Sequence, residues 1–143
     1  MSKPQTPRPL AATEALATAR GVKSSVEKAQ LVLGLIRGKK VERALNDLTF
    51  SHKKLSDVAK KVLQSAIANA ENNHNLSSAG LFVAEAHVDD GLIMKRFDPR
   101  ARDSAHPIRR RTAHIRIQLS DKAPAPKKTK KSTNKVAKKE ESK

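Results

Sequence analysis

The feature that most constrains the fold of this chain is a polar stretch of about twenty residues inside an otherwise regular pattern. Residues 92–111 carry no apolar stripe after Met94, yet they lie between two stretches of strand-forming residues, 81–88 and 108–119. Because such a stretch cannot pack into a core, we expect it to leave the domain as a long β-hairpin arm. At a rise of about 3.3 Å per residue, ten residues in each direction would place its tip roughly 30 Å from the domain. An isolated hairpin is marginally stable in water, so the arm needs a partner to lie against.

The first half of the chain has helical periodicity. Ser24 is followed three residues later by a glutamate, a capping-box pattern, and apolar residues then recur at helical spacing until Gly38. A shorter amphipathic stretch covers residues 41–48. The longest apolar stripe begins near Ser51 and ends among the asparagines at 72–75. Three helices are therefore predicted.

Extended segments are predicted on both sides of these helices. Residues 14–22 alternate in character, and residues 81–88 end at an Asp-Asp-Gly sequence, 89–91, that suits a tight reversal. Residues 108–119 form the other extended segment. Helices followed by strands indicate an α+β domain, a small antiparallel sheet packed with three helices and extended by the long β-hairpin arm.

The two ends of the chain have compositions that do not support a packed core. Residues 1–12 are rich in proline and small side chains, and residues 122–143 contain nine lysines and two glutamates. We expect a flexible N-terminal segment, 1–12, a folded domain, 13–120, and a disordered Lys-rich tail, 121–143. The N-terminus has no apolar stretch typical of a secretory signal, so a cytoplasmic protein is expected.

The charge of the chain indicates the class of its partner. Thirty Lys and Arg against 14 Asp and Glu give a formal net charge of +16, which predicts a polyanion. Nucleic acid is favoured over a membrane because no run of eighteen or so apolar residues is present. There is no cysteine, and Phe50, Phe82 and Phe97 are the only aromatic residues, so recognition by charge and shape is expected rather than by stacking platforms.

The arm carries the densest group of cations. Eight positive residues and two acidic ones, Asp98 and Asp103, give a net +6 in about 25 residues. Seven of the eight are arginines, whose planar guanidinium groups suit bidentate phosphate contacts. The positive residues are Lys95, Arg96, Arg100, Arg102, Arg109, Arg110, Arg111 and Arg116. The alternative is that they form a solvated face.

A second basic group follows the first predicted helix. Arg37, Lys39 and Lys40 stand where cations complement the helix dipole, so this role and phosphate binding both remain open.

Residues able to support catalysis or metal binding are not arranged for it. The five histidines have no paired spacing, and Asp89 and Asp90 are neighbours that a strand would point to opposite faces. No phosphate-binding glycine loop occurs. We therefore predict no catalytic residue, no metal site and no cofactor. The alternatives are a basic DNA-binding or transcription-associated protein, although the arm resembles no groove-reading motif, and an RNA-modifying enzyme.

Four segments of the chain resemble one known family. The segment "KAQLVLGLIRGKK" (28–40) is similar to the first-helix signature of the bacterial large ribosomal subunit protein number 22 family, and "KVLQSAIANAE" (61–71) to its long helix. The segments "MKRFDPRARD" (94–103) and "IRRRTAHIRI" (108–117) resemble its hairpin arm. Order and spacing agree over about residues 13–120.

The resemblance implies a structural constituent of the large ribosomal subunit that binds 23S rRNA, supports subunit assembly and lines the nascent-peptide exit tunnel with its arm. Its implied partners are 23S rRNA, neighbouring ribosomal proteins and the nascent polypeptide, in the cytoplasm. The implied rRNA-binding residues are Lys95, Arg96, Arg100, Arg102, Arg109, Arg110, Arg111, His114, Arg116, Arg37, Lys39 and Lys40. The implied tunnel-facing residues are Met94, Lys95, Arg96, Asp103 and Ser104.

The chain departs from the family pattern at the tip of the arm. After Arg102 the family often continues with Gly-Arg, whereas this chain has Asp103-Ser104 and then His106-Pro107. Pro107 also lacks a backbone donor, so the resemblance does not define the tip. The chain also lacks the proline that the family often has near Val26, and we expect the cap at Ser24 to replace it.

Overall fold

Apolar side chains at helical spacing form three helices in the computed structural model, which describes residue 11 and residues 13–122. The helices are α1 (Val26–Ile36), α2 (Val41–Phe50) and α3 (Lys54–His74), and a short 3-10 turn follows at Ser78–Gly80. Asn75 ends α3 with a left-handed φ of 52°, a conformation that asparagine tolerates. The three predicted helices are confirmed.

Five strands complete the fold. They are β1 (Glu14–Val22), β2 (Phe82–Asp90), β3 (Met94–Pro99), β4 (Ala105–Arg110) and β5 (Ala113–Ser120). β1, β5 and β2 form an antiparallel sheet in that order, whereas β3 and β4 form a separate two-stranded sheet. The predicted α+β class is confirmed.

The core lies between the three helices and one face of the three-stranded sheet. Alternate residues of β5, Ile115, Ile117 and Leu119, are buried against helix residues such as Leu33 and Leu63. Burying a Leu or Ile side chain contributes about 1.5–3 kcal/mol. The side chains on the packed faces of β1 and α3 are largely alanines. Because they are small, the helix lies close to the sheet and the space between them is filled without larger side chains.

The predicted cap of α1 is wrong. The residue at the N-cap is Ser25 rather than Ser24, and its side chain makes no capping hydrogen bond. Ser24 is not the N-cap because it belongs to the turn that leaves β1, where its backbone N–H donates to Val22 O at 2.8 Å. Its hydroxyl donates to Ser25 O at 3.3 Å, whereas a capping hydroxyl would accept a hydrogen bond from a backbone N–H of the first helical turn.

The tight reversal predicted at residues 89–91 is also wrong. β2 continues to Asp90, which pairs with Ala113, and the chain then runs on into β3. Gly91 is required here by a close approach: a Cβ at this position would lie 2.5 Å from Thr112 Oγ1. The chain reverses instead at residues 100–104, between β3 and β4.

The two predicted terminal segments lie outside the described residues, except for residues 11, 121 and 122. β1 begins at Glu14 and β5 ends at Ser120, but the flexibility of 1–12 and the disorder of 121–143 stay predictions. Within residues 13–122, no helix combines the length and the apolar character that crossing a membrane requires.

Candidate nucleic-acid interface

The hairpin of β3 and β4 stands apart from the other elements. Its register runs from the pair Met94 and Arg110 to the pair Pro99 and Ala105, and among the described elements each of its strands contacts only the other. Side chains on both strands are exposed, except for the half-buried Asp98. Strands of six residues span about 20 Å at the usual rise. The greater reach of roughly 30 Å stays a prediction.

The cations of the hairpin are divided between its two faces, because residues directly opposite each other on antiparallel strands point to the same side. We call one side the methionine face and the other the phenylalanine face. The methionine face carries Met94, Arg96 and Asp98 with Arg110, Ile108 and His106. The phenylalanine face carries Lys95, Phe97 and Pro99 with Arg109, Pro107 and Ala105. The hairpin is therefore positive on both sides.

The tip is built from two successive left-handed residues. Arg102 and Asp103 have φ of 57° and 53°, as the central residues of a type I′ turn do. Ser104 N donates to Ala101 O at 3.4 Å, and Arg100 N donates to Ser104 O at 2.8 Å. Aspartate tolerates this conformation, so Asp103 can take the place of the glycine that is frequent here in the family that the four segments resemble. Arg102 tolerates it less well, at a cost of about 1–2 kcal/mol.

The predicted tunnel-facing residues lie at opposite ends of the hairpin. Met94, Lys95 and Arg96 lie at its base, whereas Asp103 and Ser104 lie in the tip. The structure therefore does not bring them into one cluster. Near the tip, Arg100 Nη2 lies 3.1 Å from Asp98 Oδ2, an exposed ion pair that offsets part of the local charge.

The base of the hairpin is held by Thr112, which is buried between β4 and β5. Its hydroxyl donates to Leu92 O at 2.7 Å, and its carbonyl accepts from Gly91 N at 2.9 Å. Arg111, the preceding residue, is exposed. These bonds fix the direction in which the two strands leave the sheet.

Two predicted rRNA-binding residues lie on β5. His114 Nδ1 accepts a hydrogen bond from Gly21 N at 3.0 Å, so this side chain supports the irregular end of β1. Arg116 is exposed and stands between Thr18 and His87 on the sheet face away from the core. Arg116 can therefore reach a ligand, whereas His114 already has a structural role.

The second predicted basic group lies in the loop between α1 and α2. This loop is rigid because it pairs with the start of β2: Gly38 N donates to Val83 O and Val83 N to Lys39 O, both at 2.9 Å. Gly38 has a φ of 74°, which glycine adopts without strain. Arg37 Nε donates to Ala86 O at 2.7 Å, so part of its donor capacity is used within the chain.

The lysines of this loop also have partners within the protein. Lys39 Nζ lies 2.6 Å from Asp47 Oδ2, which offsets its charge. Lys40 Nζ stands 5.9 Å from the centre of the Phe82 ring, within the range of a cation–π contact.

An open groove of about 570 Å³ lies beside these lysines. Arg43 lines it together with Lys40, Asn46 and Phe82. Arg43 was not among the residues predicted from the sequence; it lies in the first turn of α2, three residues after Lys40, the extended N-cap residue of that helix. The loop and Arg43 together form the second basic surface of the described chain.

The two basic surfaces lie at opposite ends of β2. Lys40 bridges to Phe82, the first residue of the strand, whereas the hairpin leaves after Asp90, its last residue. The eight residue-to-residue steps from Phe82 to Asp90 correspond to about 26 Å. One rigid partner of at least this length, or two partners, would be needed to contact both surfaces.

Acidic and histidine side chains are dispersed. Within residues 13–122, no three His, Cys, Asp or Glu side chains come close enough together to hold a metal ion. Asp89 and Asp90 pair with His114 and Ala113, respectively, across the sheet and are exposed.

Comparison with known proteins identifies the family. The family model described as "Ribosomal protein L22p/L17e" matches residues 17–120. The chain belongs to this family.

Curated relatives agree with the L22p/L17e assignment. The large ribosomal subunit protein uL22 of Beijerinckia indica is 53% identical over 121 residues, which are 85% of this chain and 94% of that protein. The uL22 protein of Jannaschia sp. is 59% identical over 102 residues, 71% of this chain and 81% of that protein. The uL22 protein of Lactobacillus delbrueckii is 50% identical over 109 residues, 76% and 93% of the two chains.

Membership of the L22p/L17e family confirms the resemblance found in the four segments. It also confirms that the chain is a ribosomal structural protein and not an enzyme, located in the cytoplasm within the ribosome.

Proposed function

We propose that this protein binds 23S rRNA in the large ribosomal subunit, supports assembly of that subunit, and lines the nascent-peptide exit tunnel with its hairpin. Its partners would be 23S rRNA, neighbouring large-subunit proteins and the nascent polypeptide. The relatives are large-subunit proteins by name, which supports the location. The finer roles rest on the arrangement of the charged residues.

The observation that carries the proposal is the isolated, doubly basic hairpin. Its two strands contact only each other among the described elements, and cations lie on both of its faces. A two-stranded hairpin gains little stability by itself, and the exposed arginines repel one another. Phosphates lying along both sides would remove the repulsion and hold the strands. A channel within folded RNA supplies phosphates on two sides, whereas one flat surface does not.

The second basic surface supports a separate contact made by the domain. Lys40 and Arg43 line an open groove, and the pairing of the loop with β2 holds this groove in place. The domain would then attach to RNA at the surface while the hairpin extends inward. Cations at two sites about 26 Å apart would bridge distant RNA segments, which is how the protein would support assembly.

The location is tested by fractionating a cell lysate on a sucrose gradient and following the protein by mass spectrometry through washes of rising salt. We expect one copy per large subunit after a moderate wash. Migration with DNA, or at the top of the gradient, would contradict the proposal and favour the basic DNA-binding alternative.

The role of the hairpin is tested by measuring the affinity for 23S rRNA against salt concentration. The variant Arg96→Gln/Arg109→Gln/Arg110→Gln removes three hairpin charges, and Lys28→Gln/Lys54→Gln/Lys61→Gln removes three exposed helix charges as the matched control. Each lost phosphate contact makes the negative slope of log K against log salt shallower by about 0.7–0.9. The slope of the hairpin variant should therefore be shallower than that of the parent by roughly 2–3. Equal slopes for the two variants would refute the role of the hairpin.

A further inference from the structure

One aromatic ring on the hairpin has no partner that accounts for its position. Phe97 is 77% exposed, in the middle of β3, on strands that contact no other described element. An exposed phenylalanine on a polar, charged hairpin gains little in the free protein, since most of its surface remains in water. Its position is therefore better explained by a bound partner than by folding.

The residue opposite Phe97 extends the apolar surface. Pro107 is its direct partner on β4. Arg100 N donates to Ser104 O, so these two residues form a hydrogen-bonded pair of the ladder. Hydrogen-bonded and non-hydrogen-bonded pairs alternate along antiparallel strands. Phe97 and Pro107, three pairs farther along, therefore form a pair without backbone hydrogen bonds. The missing N–H of Pro107 therefore costs no ladder bond, and at such pairs the two side chains come closest. The result is a flat ring beside a rigid apolar ring.

The same face also carries charge of a single sign. Lys95 and Arg109 form the next pair on the phenylalanine face, two residues from Phe97 and Pro107. Asp98, the acidic residue of these two strands, belongs to the opposite face. An apolar ring beside two cations fits a ligand that combines a planar, uncharged group with phosphates.

We propose that the phenylalanine face binds an unpaired nucleotide of the ribosomal RNA, with its base stacked on the Phe97 ring. Lys95 and Arg109 contact the phosphates next to that base. A base in a regular helix is already stacked on its neighbours, so the nucleotide must come from a loop, bulge or junction. This inference rests on the proposed RNA-binding function and adds to it the type of nucleotide and the residue that receives it.

The affinity test compares three forms of the full chain binding 23S rRNA at one salt concentration. Base stacking on an aromatic side chain corresponds to a loss of roughly 5- to 150-fold on substitution by alanine. We expect Phe97→Ala to weaken binding within this range and Phe97→Leu to weaken it almost as much, because leucine is apolar but cannot stack. Neither variant should change the salt slope, whereas Lys95→Gln/Arg109→Gln should lower it.

A second measurement reports on stacking directly. The chain has no Trp or Tyr, so Phe97→Trp introduces a single fluorescent reporter at this site. Addition of 23S rRNA should quench it strongly through contact with the base. Ile108→Trp places the same reporter on the methionine face, and quenching there should be much weaker. Because the hairpin contacts no other described element, both variants should keep the melting temperature of the parent.

The outcomes separate this proposal from the general function. If the parent chain fails to bind 23S rRNA in a salt-sensitive way, the proposed function itself fails. If the parent binds normally but Phe97→Leu retains full affinity and Phe97→Trp is not quenched, the stacking site is refuted. If the Phe97→Ala variant keeps the RNA affinity of the parent but is poorly incorporated into ribosomal subunits, the ring contacts a protein partner instead. That result would also overturn the proposal.

Discussion

Replacing Gly91 by alanine tests how the hairpin is joined to the domain. The added methyl group would lie 2.5 Å from Thr112 Oγ1 and 3.1 Å from the backbone C and O of the same residue. The hydroxyl could rotate away only by giving up its 2.7 Å hydrogen bond to Leu92 O. The backbone cannot move away easily, because Gly91 N is bonded to Thr112 O at 2.9 Å.

The expected effect follows from three contributions. A lost hydrogen bond costs about 0.5–1.5 kcal/mol. Forcing a methyl group into a filled space typically costs about 1–3 kcal/mol. The smaller conformational freedom of alanine in the unfolded chain returns about 0.4–1 kcal/mol. The net destabilisation of Gly91→Ala should therefore be about 0.5–4 kcal/mol.

Thermal unfolding followed by circular dichroism measures this effect. A change of 1 kcal/mol shifts the melting temperature of a domain of this size by about 4–8 °C, so Gly91→Ala should melt at least about 2 °C below the parent. Gly34→Ala is the matched control, because a Cβ at this position in α1 meets nothing within 4 Å. The control should instead stabilise the domain by about 0.5–1 kcal/mol, the helix preference of alanine over glycine.

A double-mutant cycle shows whether Thr112 causes the loss. If the clash with its hydroxyl is responsible, Gly91→Ala should cost at least about 0.5 kcal/mol less in a Thr112→Ala background than in the parent. A Gly91→Ala variant that melts at or above the parent temperature would refute the close approach as the reason for this glycine.

Three further substitutions test other features. Ser56 is 1% exposed and its hydroxyl has no hydrogen-bond partner among the described residues, so Ser56→Ala should stabilise the domain by about 1 kcal/mol and raise its melting temperature. A lower melting temperature would indicate a partner. Arg102→Gly should relieve about 1–2 kcal/mol of backbone strain at the tip and so slow amide exchange at Arg100 N. The melting temperature of the domain should not change, because the hairpin contacts no other described element. An unchanged exchange rate would contradict the strain. Arg37→Met should destabilise the domain by about 1 kcal/mol, measured by denaturant titration, because it removes the hydrogen bond to Ala86 O. An unchanged midpoint of unfolding would leave RNA binding as the role of Arg37.

The regular elements could be predicted because their signals are local. The apolar stripe of α3 recurs every three or four residues, and Val62, Leu63 and Ala66 are buried as that spacing predicts. Alternation over residues 14–22 likewise predicted an extended segment, which is β1 in the structure. Each of these predictions uses residues close together in the chain, and each is confirmed.

The two wrong predictions depended on contacts that local patterns do not contain. The need for glycine at position 91 comes from Thr112, which is 21 positions later in the chain. The cap position of α1 was shifted by one residue because the turn from β1 uses the Ser24 amide. In both places the sequence matched a frequent motif, but the surrounding chain used the same residues differently.

The candidate site was predictable in composition and not in arrangement. The cations of the hairpin stand out in the sequence, but their division between two faces depends on the pairing of Lys95 with Arg109. A register shifted by one residue would change which residues oppose one another across the two strands. The internal partners of Arg37 and Lys39 were also not predictable, because Ala86 and Asp47 are brought to them by packing.

The separation of the hairpin from the domain also separates binding from stability. Because β3 and β4 contact no other described element, substitutions on their faces should change affinity while leaving the melting temperature unaltered. Core substitutions should do the reverse, since residues such as Leu63 are fully buried and belong to neither basic surface. Gly91 and Thr112 join the two parts, so a change there alters both the stability of the sheet and the direction of the hairpin. Gly91→Ala should therefore weaken RNA binding beyond what its loss of stability explains.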